Sequence, residues 1–134
     1  MFKYLTLLTL GLGLAMAPMT TPTPAAANPA CGSTLPSNAT TTLTAGQFCA
    51  SGHGYVMGVN SVLNCDGYKI EGNYQTDTWG IRVTDKTSGE IKNCVVRQWT
   101  RGLLLEDSKN ISVHDNVFRY NSQYGAMITG DGSA

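Results

Sequence analysis

Residues 80–85 and 102–107 of this chain can be written one above the other, Gly-Ile-Arg-Val-Thr-Asp over Gly-Leu-Leu-Leu-Glu-Asp, at an offset of 22 residues. The match runs on through a whole period, with Ile91 over Val113, Val95 over Val117, Val96 over Phe118 and Arg97 over Arg119. A third copy opens at Gly125, 23 residues after Gly102. A unit this short cannot bury its apolar face alone and has to stack on its own copies. Inside each copy Ile81 and Val83 alternate with Arg82, and Ile111 and Val113 with Ser112 and His114, which is the period of a strand. Gly, Asn, Asp and Ser punctuate these short runs as turn residues. No stretch from Asn28 onward carries a capped helical stripe, so crossover helices are missing and an ordinary parallel sheet cannot form. Winding solves the problem, because each strand then pairs with its copy one coil away at about 4.8 Å. The expected fold is all-β, a solenoid with coils of about 22 residues.

Ile91-Lys-Asn-Cys-Val-Val-Arg and Ile111-Ser-Val-His-Asp-Asn-Val-Phe-Arg-Tyr-Asn, each followed by a Gly-hydrophobic strand, resemble the repeats of pectate-lyase-like right-handed parallel β-helix proteins. The resemblance covers roughly residues 31–134. It implies a ladder of side-chain amides at one bend, where Asn116 stands and Cys94 takes the place one coil earlier. Cys31 through Ile70 is similar to the opening coil of exported β-helix proteins. Cys65 and Cys94 are 29 residues apart, so Gly72–Thr78 reads as a loop extension of about seven residues, and Leu63 sits two before its cysteine whereas Ile91 sits three before.

The N-terminus reads as an export signal. Met1-Phe2-Lys3 gives a small positive start, Tyr4–Met16 is an apolar run of 13 residues, and Ala25-Ala26-Ala27 is a small-residue cleavage site. A bilayer span needs roughly 20 apolar residues, so this run is too short for an anchor, and cleavage is expected after Ala27. Residues 28–50 then form a cap segment and 51–134 the repeats. The chain stops inside a coil at Ala134, which suggests the N-terminal piece of a longer β-helix, or an open end docked on another chain. Nine basic and nine acidic residues balance, an argument against a nucleic-acid partner, which calls for a basic face. No later segment is long and apolar enough for a membrane span.

Export permits disulfides. Cys31 and Cys49 flank the Thr-rich cap and are expected to bridge, whereas Cys65 and Cys94, placed one coil apart with parallel side chains, are expected to remain stacked thiols. No cysteine or histidine spacing matches a zinc site.

Several residues are candidates for chemistry. Arg97 over Arg119 and Lys92 over His114, with Tyr120 and Trp99 near in sequence, make a cationic column with aromatic neighbours. Guanidinium groups of this kind can hold uronate carboxylates while rings take sugar faces. Asp85 over Asp107, beside Glu106, is read as a pair of turn residues neutralised by Lys86 and Lys109; calcium is the alternative, since it takes such oxygen ligands and the resemblance implies it in the lyases. Gly52-His53-Gly54 is similar to the Gly-His-Gly of polygalacturonases but lacks an Asp pair before it, so His53 reads as a loop residue. No acid–base pair converges, and no catalytic residue is nominated. The leading expectation is an exported β-helix module that binds carbohydrate or a cell-surface partner without catalysis. The rival is a polysaccharide lyase or hydrolase, or the N-terminal part of one.

Overall fold

A computed structural model describes residues 13–130. The positive start of the expected export signal, most of its apolar run and the last four residues lie outside the described residues. Residues 13–30 carry no regular secondary structure, and no helix among the described residues is long and apolar enough to cross a membrane.

Twelve strands follow. In chain order they are β1 (Thr40–Thr42), β2 (Gln47–Phe48), β3 (Tyr55–Val56), β4 (Ser61–Asn64), β5 (Lys69–Glu71), β6 (Trp79–Thr84), β7 (Gly89–Lys92), β8 (Val95–Arg97), β9 (Arg101–Glu106), β10 (Ile111–His114), β11 (Val117–Arg119) and β12 (Tyr124–Thr129). They form three parallel four-stranded sheets, β1-β4-β7-β10, β2-β5-β8-β11 and β3-β6-β9-β12. Every third strand returns to the same sheet one coil further on, which is the expected solenoid, in about four coils. The 22-residue offset holds from β6 to β9, where Thr84 pairs with Glu106, and from β7 to β10, where Ile91 pairs with Val113. The first coil already begins within residues 28–50, since β1 pairs with β4 and β2 with β5.

Period two turns into columns of inward side chains. Leu63 stacks on Ile91, Ile70 on Val96, and Tyr55 on Ile81 and Leu103, all of them buried. Each such side chain removed from water is worth about 1.5–3 kcal/mol. Trp99 plugs the corner after β8; it is 1% exposed, and its indole Nε1 donates to Ile70 O at 3.2 Å. At the far end the columns run out. Val113 is 37% and Ile128 57% exposed, and β10, β11 and β12 each have a sheet neighbour on one side only among the described residues.

The corners explain the Asn and Asp content. Among the described residues, nine of the twelve non-glycine residues with positive φ are Asn or Asp, the types that tolerate the left-handed region. Among the described residues Asn116 has Cys94, not a second amide, as its neighbour one coil back. It reaches back one coil, accepting from Cys94 N at 2.9 Å and donating to Ile91 O at 2.9 Å. Asn121 does the same at the next corner, accepting from Trp99 N and donating to Val96 O.

Two sequence expectations need correction. Cys65 and Cys94 form a disulfide, with Cα atoms 4.7 Å apart. The expectation of parallel thiols assumed exact stacking, but Leu63 pairs with Ile91 and Asn64 with Lys92. Cys94 therefore lies one residue beyond the partner of Cys65, at a bend where the side chains converge. The extension in this coil is also shared out: seven residues join β5 to β6 against three joining β8 to β9, and four join β4 to β5 against two joining β7 to β8. Cys31 and Cys49 bridge as expected. Two disulfides are the chemistry of an oxidising compartment, consistent with an extracellular or periplasmic place.

Candidate functional site

The cationic residues do not form one grip. Lys92 and His114 pair in register on β7 and β10, and Arg97 and Arg119 on β8 and β11, so the bends at Asn93-Cys94 and Asp115-Asn116 put the two columns on different faces. Arg97 is committed to Glu71, with Nε donating at 2.8 Å and a second nitrogen 2.6 Å from the same oxygen. Lys92 Nζ lies 3.3 Å from Glu90. The Arg119 guanidinium sits over the Tyr120 ring, 5.6 Å from its centre. Trp99 is core and joins no surface.

His114 is clamped between two carboxylates, with Nδ1 2.8 Å from Asp115 and Nε2 2.8 Å from Glu90 on the neighbouring coil. The Asp115 hydrogen bond, then that of Glu90, raises its pKa, and the same contact with His114 leads the lowering at Glu90. The stabilisation is thus full below the ordinary histidine value and is lost as pH rises through the raised one. His53 works in the opposite sense, because burial lowers its pKa and its contribution is lost on acidification. His114→Gln isolates the first effect. The melting temperature of this variant should fall further below wild type at pH 5.5 than at pH 8.5, and an equal gap at both would refute the clamp.

Asp85 and Asp107 occupy the same turn position on successive coils, both with positive φ. Glu106 does not join them, because it turns to Arg82. Two carboxylates fall well short of the six to eight oxygens that calcium takes, and no group of three or more His, Cys, Asp or Glu able to hold a metal forms among the described residues.

A different face carries the richest constellation. On the solvent side of β3-β6-β9-β12, Trp79, Arg101 and Tyr124 stand in register, and His53 extends the same column. His53 lies flat on Trp79, ring centres 3.4 Å apart and planes at 8°. Arg82 covers the indole at 4.7 Å. Three residues along each strand, Arg82, Leu104 and Met127 form the next outward column. Trp79 and Arg101 of the first column and all three residues of the second, with Asp77, Glu106 and Thr129, line a shallow cleft of about 230 Å³. Its charges are paired internally. Arg82 donates to Glu106 Oε2 from Nε at 3.0 Å and from a terminal nitrogen at 2.7 Å, and Arg101 donates to Asp77 at 2.8 Å. The Arg82 hydrogen bond holds the Glu106 carboxyl below the usual range, and the Arg101 hydrogen bond does the same for Asp77. Three buried polar atoms of the first column, His53 Nδ1, Trp79 Nε1 and Arg101 Nε, have no hydrogen-bond partner among the described residues.

Sequence reasoning missed this face. The usable signal was the residue just before each repeat glycine, Trp79 and Arg101, and the outward position two after it, Arg82 and Leu104. A second cleft of about 220 Å³, lined by Gly46, Gln47, Phe48, Lys69 and Glu71, lies on the β2-β5-β8-β11 face.

Coils of three short strands, parallel pairing throughout and a column-built core define a parallel β-solenoid, the architecture of the pectate-lyase-like superfamily. A family model described as a right-handed beta helix region matches residues 31–134, and the chain belongs to that family. No curated protein and no solved structure matches it significantly.

Proposed function

We propose that the protein is an exported β-helix module that binds polysaccharide along the outer face of β3-β6-β9-β12 and leaves it intact. The observation that carries this reading is the cleft over Trp79, Arg82, Arg101 and Glu106, where stacked rings and apolar Leu104 and Met127 alternate with fixed polar groups. Sugars present the same mixture, with apolar C–H faces edged by hydroxyls.

Binding is preferred to turnover because the cleft's ionic groups are engaged with each other. A general base needs a free lone pair within reach of the proton it removes, and the low-pKa carboxylates of Glu106 and Asp77 are tied to arginines. Export is supported by the two disulfides and by the apolar N-terminal run.

The test is calorimetric titration with polygalacturonate, alginate and cello-oligosaccharides, alongside the ultraviolet absorbance of unsaturated products in the presence of calcium. Saturable binding without absorbance change is expected, and Trp79→Ala should weaken it about tenfold, the scale of one aromatic contact. Turnover that disappears in Arg119→Ala would replace this reading with a lyase.

A further inference from the structure

Three of the left-handed corner residues break the Asn/Asp rule, and all three fall at one corner. They are Tyr74, Gln98 and Tyr120, with φ of 52°, 64° and 55°. Tyr74 N donates to Gln98 O at 2.9 Å and Gln98 N to Tyr120 O at 3.2 Å, so the three form a single column over three successive coils. A side chain with a full Cβ pays for this backbone conformation in strain. Core packing does not offset it, because Tyr74 is 55% and Tyr120 65% exposed. The middle position is tied down: the Gln98 amide lies against Glu71 Oε1 (2.9 Å) and Gly72 O (3.2 Å), two acceptors that assign its nitrogen to that side, and so braces against the same carboxylate that holds Arg97.

The outcome is two solvent-facing rings on one edge, separated by two coil rises, or about 9.6 Å at roughly 4.8 Å each. An extended chain of β-1,4-linked pyranoses turns each sugar over relative to the last, so the same face recurs on every second unit at a comparable spacing. We infer that Tyr74 and Tyr120 are stacking platforms for sugars i and i+2 of such a two-fold ribbon, which runs parallel to the coil axis beside the β3-β6-β9-β12 cleft. This rests on the polysaccharide-binding reading and names the ligand's linkage and direction. Arg119, over one face of Tyr120, places its donors toward the ribbon's hydroxyls and leaves the other ring face to the sugar.

The experiment uses the full disulfide-bonded chain, titrated by calorimetry with cellobiose, cellotriose and cellohexaose. Three sugars are the shortest guest that reaches both rings, so affinity should rise at least tenfold from cellobiose to cellotriose. Tyr74→Asn and Tyr120→Asn each install a residue that accepts the left-handed corner. Each variant should melt at a higher temperature than wild type and bind cellohexaose at least tenfold more weakly, which a merely structural tyrosine would not do. Equal affinity for the dimer and trimer, undiminished binding by the Asn variants, or binding lost together with melting temperature would overturn the inference. Preference for polygalacturonate, which is α-1,4-linked and acidic, would overturn the ligand class while leaving the cleft reading in place. Binding of no polysaccharide at all would sink both.

Discussion

Gly54→Ala is expected to lower the unfolding free energy by about 3 kcal/mol, the upper part of the usual range for a group forced into filled space. The reason is steric. A Cβ on Gly54 would run into the carbonyl oxygen of Gly80, with the carbonyl carbon of Gly80 at 2.8 Å. Both obstacles are backbone, so no side chain can swing aside. The same relation repeats up the solenoid, a Cβ on Gly80 meeting Gly102 O and one on Gly102 meeting Gly125 O. These glycines form a column in which each α-carbon lies against the peptide of the next coil. None needs a positive φ, so their role is close approach rather than conformational freedom. Gly46 is the control, because the nearest atom to its Cβ is Lys69 O at an ordinary 3.9 Å. Urea unfolding should show Gly46→Ala near wild type and Gly54→Ala with its midpoint lower by on the order of 2 M, at the slope usual for a small domain. Matching midpoints for the two variants would show that the coils can part without cost.

That column also shows why the fold was legible. Gly80 and Gly102 announce the coil starts in the sequence because the geometry tolerates nothing larger there, Gly125 repeats the pattern with more room, and the inward Ile, Val and Leu keep step with them. Where spacing was constant, register followed directly: Arg97 with Arg119 and Lys92 with His114 were matched from the offset alone, and both pairs are observed. Legibility failed in the coil between β4 and β7. There Leu63 meets Ile91 at an offset of 28 rather than 22, because residues were added at two corners, and periodicity cannot say how an insertion is divided between loops.

The candidate site was harder to read for a second reason. Columns predict which residues of one kind stack, yet a charge is decided by its partner on the adjacent coil. Arg97 looked like half of a cationic stripe until Glu71, 26 residues earlier, was found to hold it. Arg82 and Glu106, 24 apart, are neither register partners nor sequence neighbours, and they meet on a diagonal. His53 lies on Trp79 at an offset of 26 that belongs to the extended coil, so the 22-residue rule gave no reason to pair them. Tyr120 was singled out as an aromatic neighbour of Arg119, but its counterpart Tyr74 lies within the extension, and only the backbone conformation of the corner joins the two.

Cys65→Ala combined with Cys94→Ala is expected to cost about 3.5 kcal/mol, the chain-entropy value for a loop closed over 29 residues. Alanine avoids leaving a hydroxyl in a place where both cysteines are almost fully buried. This bridge spans the longest coil, so it removes the freedom of the segment whose loops are least constrained by strand pairing. The corresponding change at Cys31 and Cys49, which close 18 residues, should cost about 3 kcal/mol by the same relation. Because the two bridges restrict overlapping stretches of neither loop, their losses should be close to additive. The measurement is urea unfolding of wild type, each double variant and the quadruple variant, with and without reductant. Reductant should move wild type to the midpoint of the quadruple variant and leave that variant unmoved. If Cys65→Ala/Cys94→Ala instead unfolded at the wild-type midpoint, the coil would be held by its strand ladders alone, and the one-residue offset that brings the two sulfurs together would have no bearing on stability.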